Sequence, residues 1–308
     1  MTPVTGAQHS RSDPPVRRLH PVDTLPADGH TRGAAPTLAA TPREAARVLA
    51  AALVCGSAVL LFAVHVRPMG YLPLVVGVAL GFAVDRALGR DLALVGLGMT
   101  VITTISLKAD LSDAGMARFT VALAGAVLVP YVLSRFVLRQ DVIRFPLRTG
   151  RRWSRTQVVY LMVVVVLAYL LLPWYFLGSG AYENWPTVDT SQDVARLFVG
   201  VNAVGIWDEL FFVCTVLALL RVHFPFALAN VLQAVVFVSF LWELGYREWG
   251  PLLTIPFALV QGWIFRKTAS LTYVVTVHLL FDLVVFMVLV HAHNPGTFDV
   301  FVTAPAAW

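Results

Sequence analysis

The chain has 308 residues, of which 58% are hydrophobic and only 13% are charged. A soluble fold of this length needs more polar surface, so the composition excludes an ordinary globular protein and indicates a polytopic membrane protein. The net charge of +5 is concentrated in the N-terminal tail and in a few loops, a pattern typical of membrane topology signals and not of nucleic-acid binding.

The N-terminal tail is predicted to be disordered, basic and cytoplasmic over residues 1–41. Repeated prolines break regular structure there, and arginines keep the segment solvated. A helix is predicted to begin directly afterwards. Thr41 can cap it, Pro42 suits its first position, and Glu44 can reach back to complete a capping box.

Nine later stretches are apolar enough to be membrane-spanning helices, which need about 20 residues each. They are residues 45–66, 70–85, 91–108, 117–137, 156–178, 194–220, 226–244, 250–265 and 269–291. The second and eighth are short, so a tilted, re-entrant or buried segment is the alternative for each. Arginine and lysine concentrate on every second loop, which predicts an N-terminus inside and a C-terminus outside.

The predicted fold is therefore an all-α transmembrane bundle. Residues 42–178 would form the N-terminal helices, residues 190–292 a second group of helices, and residues 293–308 a C-terminal tail. Cys55 and Cys214 lie inside apolar runs, so we expect small core residues there and neither a disulfide nor a metal site.

Ionisable side chains near the bilayer centre cost roughly 2.5–3.5 kcal/mol each on insertion scales, so their presence indicates a function. The sixth span carries the adjacent acids Asp208 and Glu209, which point about 100° apart on a helix. In the ninth span His278 and Asp282 lie four residues apart, on one face. The helix rise places the two groups at a similar depth, so they could meet in one pocket.

Each of these positions also has a structural interpretation. The two acids could form an ion pair or a hydrogen-bonded protonated carboxyl, and His278 could be a packing residue. Glu243, at the end of the seventh span, is either an interfacial charge or a weaker candidate for the site. Gln233 and Gln261 are expected to be interhelical hydrogen-bond donors.

The sequence Asp-Glu-Leu-Phe-Phe at 208–212, the later run Phe-Arg-Lys-Thr-Ala-Ser-Leu and the His278-xxx-Asp282 pair resemble the CPBP family of intramembrane proteases. This family comprises the CAAX-prenyl protease type 2 enzymes and the bacteriocin-processing and self-immunity proteins. Its motifs are Glu-Glu-xxx-Arg, Phe-xxx-His and His-xxx-Asn/Asp, and the resemblance covers residues 190–292. Two departures stand out: Val213 replaces the motif arginine, and the seventh span has no histidine.

The resemblance implies an endopeptidase of the glutamic type that cleaves a membrane-associated or lipidated protein. Asp208 would activate water, with Glu209 as the second acid, and His278 and Asp282 would stabilise the oxyanion. It implies an integral membrane protein of a bacterial plasma membrane, with no cofactor and no metal ion.

Two other functions remain open at this point. The departures from the motifs are consistent with a catalytically inactive scaffold or immunity-type protein of the same fold. Buried acids and a histidine could also form the proton path of a transporter or a lipid-handling protein. The oligomeric state is not indicated by any feature of the sequence.

Overall fold

A computed structural model describes residues 41–147, 150 and 152–304. Helices are the dominant element of this part of the chain, which contains no strand. This confirms the all-α prediction. The disordered-tail prediction for residues 1–40 and the last four residues of the predicted C-terminal tail lie outside the described residues.

The described residues form nine long helices that follow the nine predicted spans in order. They are α1 (Pro42–Ala63), α2 (Arg67–Val84), α3 (Arg86–Ile102), α4 (Asp113–Val137), α5 (Arg155–Ser179), α6 (Ser191–Arg221), α7 (Phe226–Leu244), α8 (Pro251–Thr268) and α9 (Leu271–His293). A short 3₁₀-helix, Ala181–Asn184, lies between α5 and α6.

Seven of these helices, all except α3 and α8, are long and apolar enough to cross a membrane. Large apolar side chains cover much of the outer surface; Leu72, Val121 and Met162 are each more than 60% exposed. Such a surface would be costly in water and suits contact with lipid. The protein is a polytopic transmembrane helical bundle, while the total number of crossings and the orientation stay predictions.

The beginning of α1 follows the predicted capping pattern. The Thr41 hydroxyl accepts a hydrogen bond from the Glu44 amide at 3.2 Å, and the Glu44 carboxylate accepts one from the Thr41 amide at 2.9 Å. Pro42 occupies the first turn, where no amide hydrogen is required. The buried Cys55 and Cys214 are both free thiols, as expected.

The helix α6 is the most enclosed of the seven candidate spans and packs against α4, α7, α8 and α9. Its hydrogen-bonding pattern changes at Glu209, where a π-helical segment of nine residues, Glu209–Leu217, begins. The hydroxyl of Thr215 donates to the carbonyl of Leu210, five residues earlier, at 2.9 Å. A π-helical segment inside an α-helix is costly and is often retained at functional sites.

Two glycines allow α2 and α3 to cross closely. The Cα of Gly89 would lie 3.1 Å from a Cβ added at Gly81. A Cβ added at Gly89 itself would lie 2.6 Å from the backbone nitrogen of Phe82. Since a backbone cannot move aside like a side chain, this crossing requires glycine.

We therefore predict that Gly89→Ala destabilises the bundle by about 1–3 kcal/mol, the usual cost of overpacking, despite the better helix propensity of alanine. Gly56→Ala is the matched control, because a Cβ at that helical glycine meets no atom within 4 Å. Thermal unfolding of the purified variants in detergent checks both. Equal stability of the two variants would contradict the close crossing.

Candidate functional site

The four strongest candidate residues converge on the ring of His278. Its Nδ1 lies 2.8 Å from Oε1 of Glu209, and its Nε2 lies 3.7 Å from Oδ2 of Asp208 and 3.9 Å from Oδ1 of Asp282. All four residues are buried, with at most 4% of their surface exposed. The helices α6 and α9 therefore bring the predicted residues into one cluster.

Asp208 and Glu209 both reach His278 although they point in different directions. The imidazole lies between them, and each acid approaches a different ring nitrogen. The change from α-helical to π-helical structure falls between the two acids. Because neighbouring helical residues point in different directions, one ring can lie between the two acids.

Gln261 on α8 braces Glu209. Its side-chain amide donates to Oε1 of Glu209 at 2.8 Å, the same oxygen that contacts His278. One carboxyl oxygen can accept two hydrogen bonds, and in that arrangement Nδ1 carries the proton on this side of the ring. A hydrogen bond that fixes the proton on one imidazole nitrogen determines whether the other nitrogen donates or accepts a hydrogen bond.

The opposite side of the ring is not closed by protein hydrogen bonds. The two distances from Nε2 exceed hydrogen-bond length, and Oδ1 of Asp208 and Oδ2 of Asp282 are buried with no hydrogen-bond partner in the described part of the chain. Buried polar atoms normally have partners. These three groups therefore face a space that suits water or a polar group of a ligand.

Gly205 makes room for Asp282. A Cβ built at Gly205 would clash with Oδ2 of Asp282 and would lie 3.2 Å from the ring of His278. Because Gly205 lies one turn before Asp208 and Glu209 on α6, the absence of a side chain lets α9 approach the acids. A sequence pattern would not single out this glycine among the others of the chain.

A cavity of about 340 Å³ opens onto this cluster. Asp208, His278 and Asp282 line it, whereas Glu209 does not. The other walls are mainly apolar and come from α4, α6, α7, α8 and α9, and the lining also reaches Asp110, Leu111 and Arg196 beside the start of α4. A largely apolar pocket with a few converging polar groups is the usual form of a ligand site.

Aromatic side chains hold the cluster in position. The ring of Phe257 meets the ring of His278 edge-on at 4.9 Å, and Phe237 lies 6.3 Å from it. Next to Asp208 on α6, Trp207 donates to the carbonyl of Leu123 on α4 at 2.7 Å and stacks on Phe211. These contacts fix the rotation of α6 about its axis and so the direction of its acids.

Glu243 does not join the cluster. Its carboxylate forms an ion pair with the imidazole of His65, in the link between α1 and α2, and it does not line the cavity. Gln233 is buried, but its amide oxygen has no partner in the described residues. In that part of the chain no group of three or more His, Cys, Asp or Glu side chains has a geometry that could hold a metal ion.

Two features of the site do not follow from the sequence. Gln261 was expected only as an interhelical donor, and its contact with Glu209 could not be foreseen without the rotation of α8. Tyr246, in the link between α7 and α8, also lines the cavity, and nothing in its sequence context marks it.

Comparison with known proteins gives one family. Residues 190–284 match the family model described as "Type II CAAX prenyl endopeptidase Rce1-like". No curated protein and no solved structure matches the chain. The matched segment runs from the start of α6 to beyond Asp282 and so contains every residue of the cluster. This segment is thus similar to a family of membrane proteases, which confirms the resemblance to the CAAX-prenyl protease type 2 enzymes.

Proposed function

We propose that the protein is an intramembrane endopeptidase that hydrolyses a peptide bond in a lipidated, membrane-associated protein, with Asp208 as the general base. The observation that carries this proposal is the cluster of unpartnered polar atoms around Nε2 of His278, at the end of an apolar cavity. The family name supports a prenylated cysteine near the cleaved bond as the substrate.

The apolar walls of the cavity suit the lipid chain of such a substrate. Leu123, Phe257 and Phe281 belong to these walls, while Asp208 and His278 lie in the same cavity. A substrate with an apolar group beside its scissile bond would therefore place the bond near the acids while its lipid chain remained out of water.

The chemistry requires one base and one electrophilic group. Asp208 takes a proton from a water molecule, whose oxygen attacks the carbonyl carbon of the scissile bond. His278, held as an imidazolium with Nδ1–H donating to Glu209, directs Nε2–H at the oxyanion that forms. The C–N bond then breaks, and Asp208 returns its proton to the amine nitrogen.

Glu209 and Asp282 have different roles in this scheme. Glu209 is a positioning residue, because it contacts the ring and Gln261 but does not line the cavity. Asp282 can donate to the oxyanion only while it carries a proton, since an ionised carboxylate has no hydrogen to donate and would repel negative charge.

A noncatalytic scaffold is the second candidate, and specific residues favour it. Val213 is buried and offers no charge where the motif has arginine. Phe237 is followed four residues later by Leu241, so the cavity wall on α7 has an apolar group where a Phe-xxx-His motif would supply an imidazole. A scaffold would keep its biological effect after Asp208→Asn, whereas an enzyme would lose it.

We predict that the purified protein in lipid nanodiscs cleaves an internally quenched peptide ending in a farnesylated Cys-aliphatic-aliphatic-X sequence. Asp208→Asn and His278→Ala should each lower kcat/KM by at least about 10²–10⁴-fold, the usual contribution of a general base or acid. Glu209→Gln should lower it as well, through the orientation of the ring. Fluorescence release and mass spectrometry of the products measure this.

Asp91→Asn is the matched control for these substitutions. Asp91 is also a buried aspartate and pairs with His223 at 2.7 Å, but it does not line the cavity. This variant should keep the wild-type rate per folded molecule. A wild-type protein that leaves the farnesylated peptide intact, or an Asp208→Asn variant as fast as wild type, would contradict the proposal.

A second prediction concerns Gly205. In Gly205→Ala the new methyl group must displace the Asp282 carboxylate, so we expect cleavage to slow by about 10²-fold, as for other misplacements near 1 Å. Gly200→Ala on the same helix is the control, since a Cβ there meets no atom within 4 Å. The measurement is the cleavage rate, with thermal unfolding to verify folding. Equal rates in both variants would rule out the assigned position of Asp282.

A further inference from the structure

Tyr246 is a buried residue that lines the cavity, and its hydroxyl has no hydrogen-bond partner in the described part of the chain. Only 6% of the residue is exposed, and it lines the same cavity as Asp208, His278 and Asp282. The hydroxyls of Tyr175 and Tyr273, by contrast, donate to backbone carbonyls at 2.7 and 2.9 Å, as tyrosine hydroxyls inside proteins usually do. Tyr246 lies within the segment that matches the protease family but outside the three motifs of the resemblance.

The backbone holds Tyr246 firmly at this position. Gly245 ends α7 with a φ of +134°, a conformation that side chains disfavour, and a Cβ there would lie 2.7 Å from Nε1 of Trp185. The next amide, that of Tyr246, donates to the carbonyl of Leu241 at 2.9 Å. The chain thus turns back at the end of α7. This turn keeps Tyr246 beside the helix whose Leu241 belongs to the cavity wall.

Aromatic neighbours fix the ring itself. Tyr175 lies parallel to it at 6.4 Å, while Phe176 and Trp185 meet it edge-on at 5.6 and 5.9 Å. A side chain held on several sides loses little further entropy when its hydroxyl binds a ligand. The ring is therefore preorganised, while its hydroxyl oxygen has no hydrogen-bond partner among the described residues.

The phenol remains a hydrogen-bond donor at all ordinary pH values. Burial, together with the carboxyl groups of Asp282 and Asp208, raises the pKa of Tyr246 well above its usual value. It therefore keeps its proton and can donate to a developing negative charge. It cannot act as a base under these conditions.

We propose that the hydroxyl of Tyr246 is a catalytic hydrogen-bond donor to the oxyanion. It belongs to the cavity wall at the end of α7, where Leu241 is apolar and no histidine supplies an imidazole. This rests on the proposed peptidase function. The tetrahedral intermediate forms when the water oxygen bonds to the carbonyl carbon, and its oxyanion accepts hydrogen bonds from Tyr246 and from Nε2–H of His278. Tyr246 transfers no proton, so it is unchanged when the C–N bond breaks.

The test is Tyr246→Phe in the full-length protein, with the farnesylated quenched peptide as substrate. Phenylalanine keeps the aromatic packing and removes an oxygen with no protein partner, so the variant should fold with an unchanged unfolding temperature. We expect kcat to fall by about 10²–10³-fold, as when one oxyanion donor is removed, with KM nearly unchanged. Tyr131→Phe, on α4 and away from the cavity lining, is the control and should keep wild-type kinetics.

A second measurement separates transition-state stabilisation from packing. A farnesylated peptide with a phosphinate in place of the scissile bond carries a tetrahedral, negatively charged group. Its affinity should fall in Tyr246→Phe by a factor similar to that in kcat. A packing defect would instead raise KM and lower the unfolding temperature.

The outcomes distinguish this inference from the proposed function. If Tyr246→Phe matches wild type in kcat and in phosphinate affinity while Asp208→Asn is inactive, the role of Tyr246 is wrong and the peptidase assignment stands. If the wild-type protein and both variants fail to cleave, the proposed function itself fails. A loss of kcat in Tyr246→Phe that leaves phosphinate affinity unchanged also overturns the inference.

Discussion

The imidazole of His278 is the centre on which the polar interior of the bundle depends. It contacts one acid through Nδ1 and faces two more through Nε2, so this single ring of α9 connects both acids of α6 to Asp282. Separate carboxylates in a medium of low dielectric constant would be very costly, whereas a shared cation and shared protons reduce that cost. The cluster therefore exists only while α6 and α9 keep their mutual register, which Gly205 permits by its missing side chain.

The two sides of this cluster have different surroundings. Glu209 contacts Gln261 on the side away from the cavity, whereas Asp208 and Asp282 line the cavity. Buried oxygens without a partner in the described part of the chain occur on both sides, at Oε2 of Glu209, Oδ1 of Asp208 and Oδ2 of Asp282, and each unpaired group costs about 1–3 kcal/mol. Those of the two aspartates belong to side chains that a ligand in the cavity can reach. The arrangement therefore favours a site for a ligand over a structural pair.

The sequence was sufficient for those features that depend on local pattern. The capping box at Thr41 and the alignment of His278 with Asp282 follow from spacing along one helix, and the meeting of the two ion-bearing helices follows from depth. Helix rotation and the switch to π-helical structure at Glu209 follow from packing among several helices, which a sequence pattern does not encode. For that reason the contact of Gln261 and the position of Tyr246 in the cavity wall emerged only from the structure.

The departures from the family motifs have a common physical consequence. An arginine at position 213 would place a second cation near Glu209, but the chain has a buried valine there and braces the acid through the neutral amide of Gln261. A neutral donor holds a carboxylate more weakly than a guanidinium does. In the proposed mechanism the positive charge of the cluster is then concentrated on His278, close to where the oxyanion forms. An apolar Leu241 and a protonated Tyr246 keep the opposite wall free of competing charge. In the proposed peptidase, these departures alter which groups supply hydrogen bonds, while Asp208 and His278 still supply a base and a positive charge.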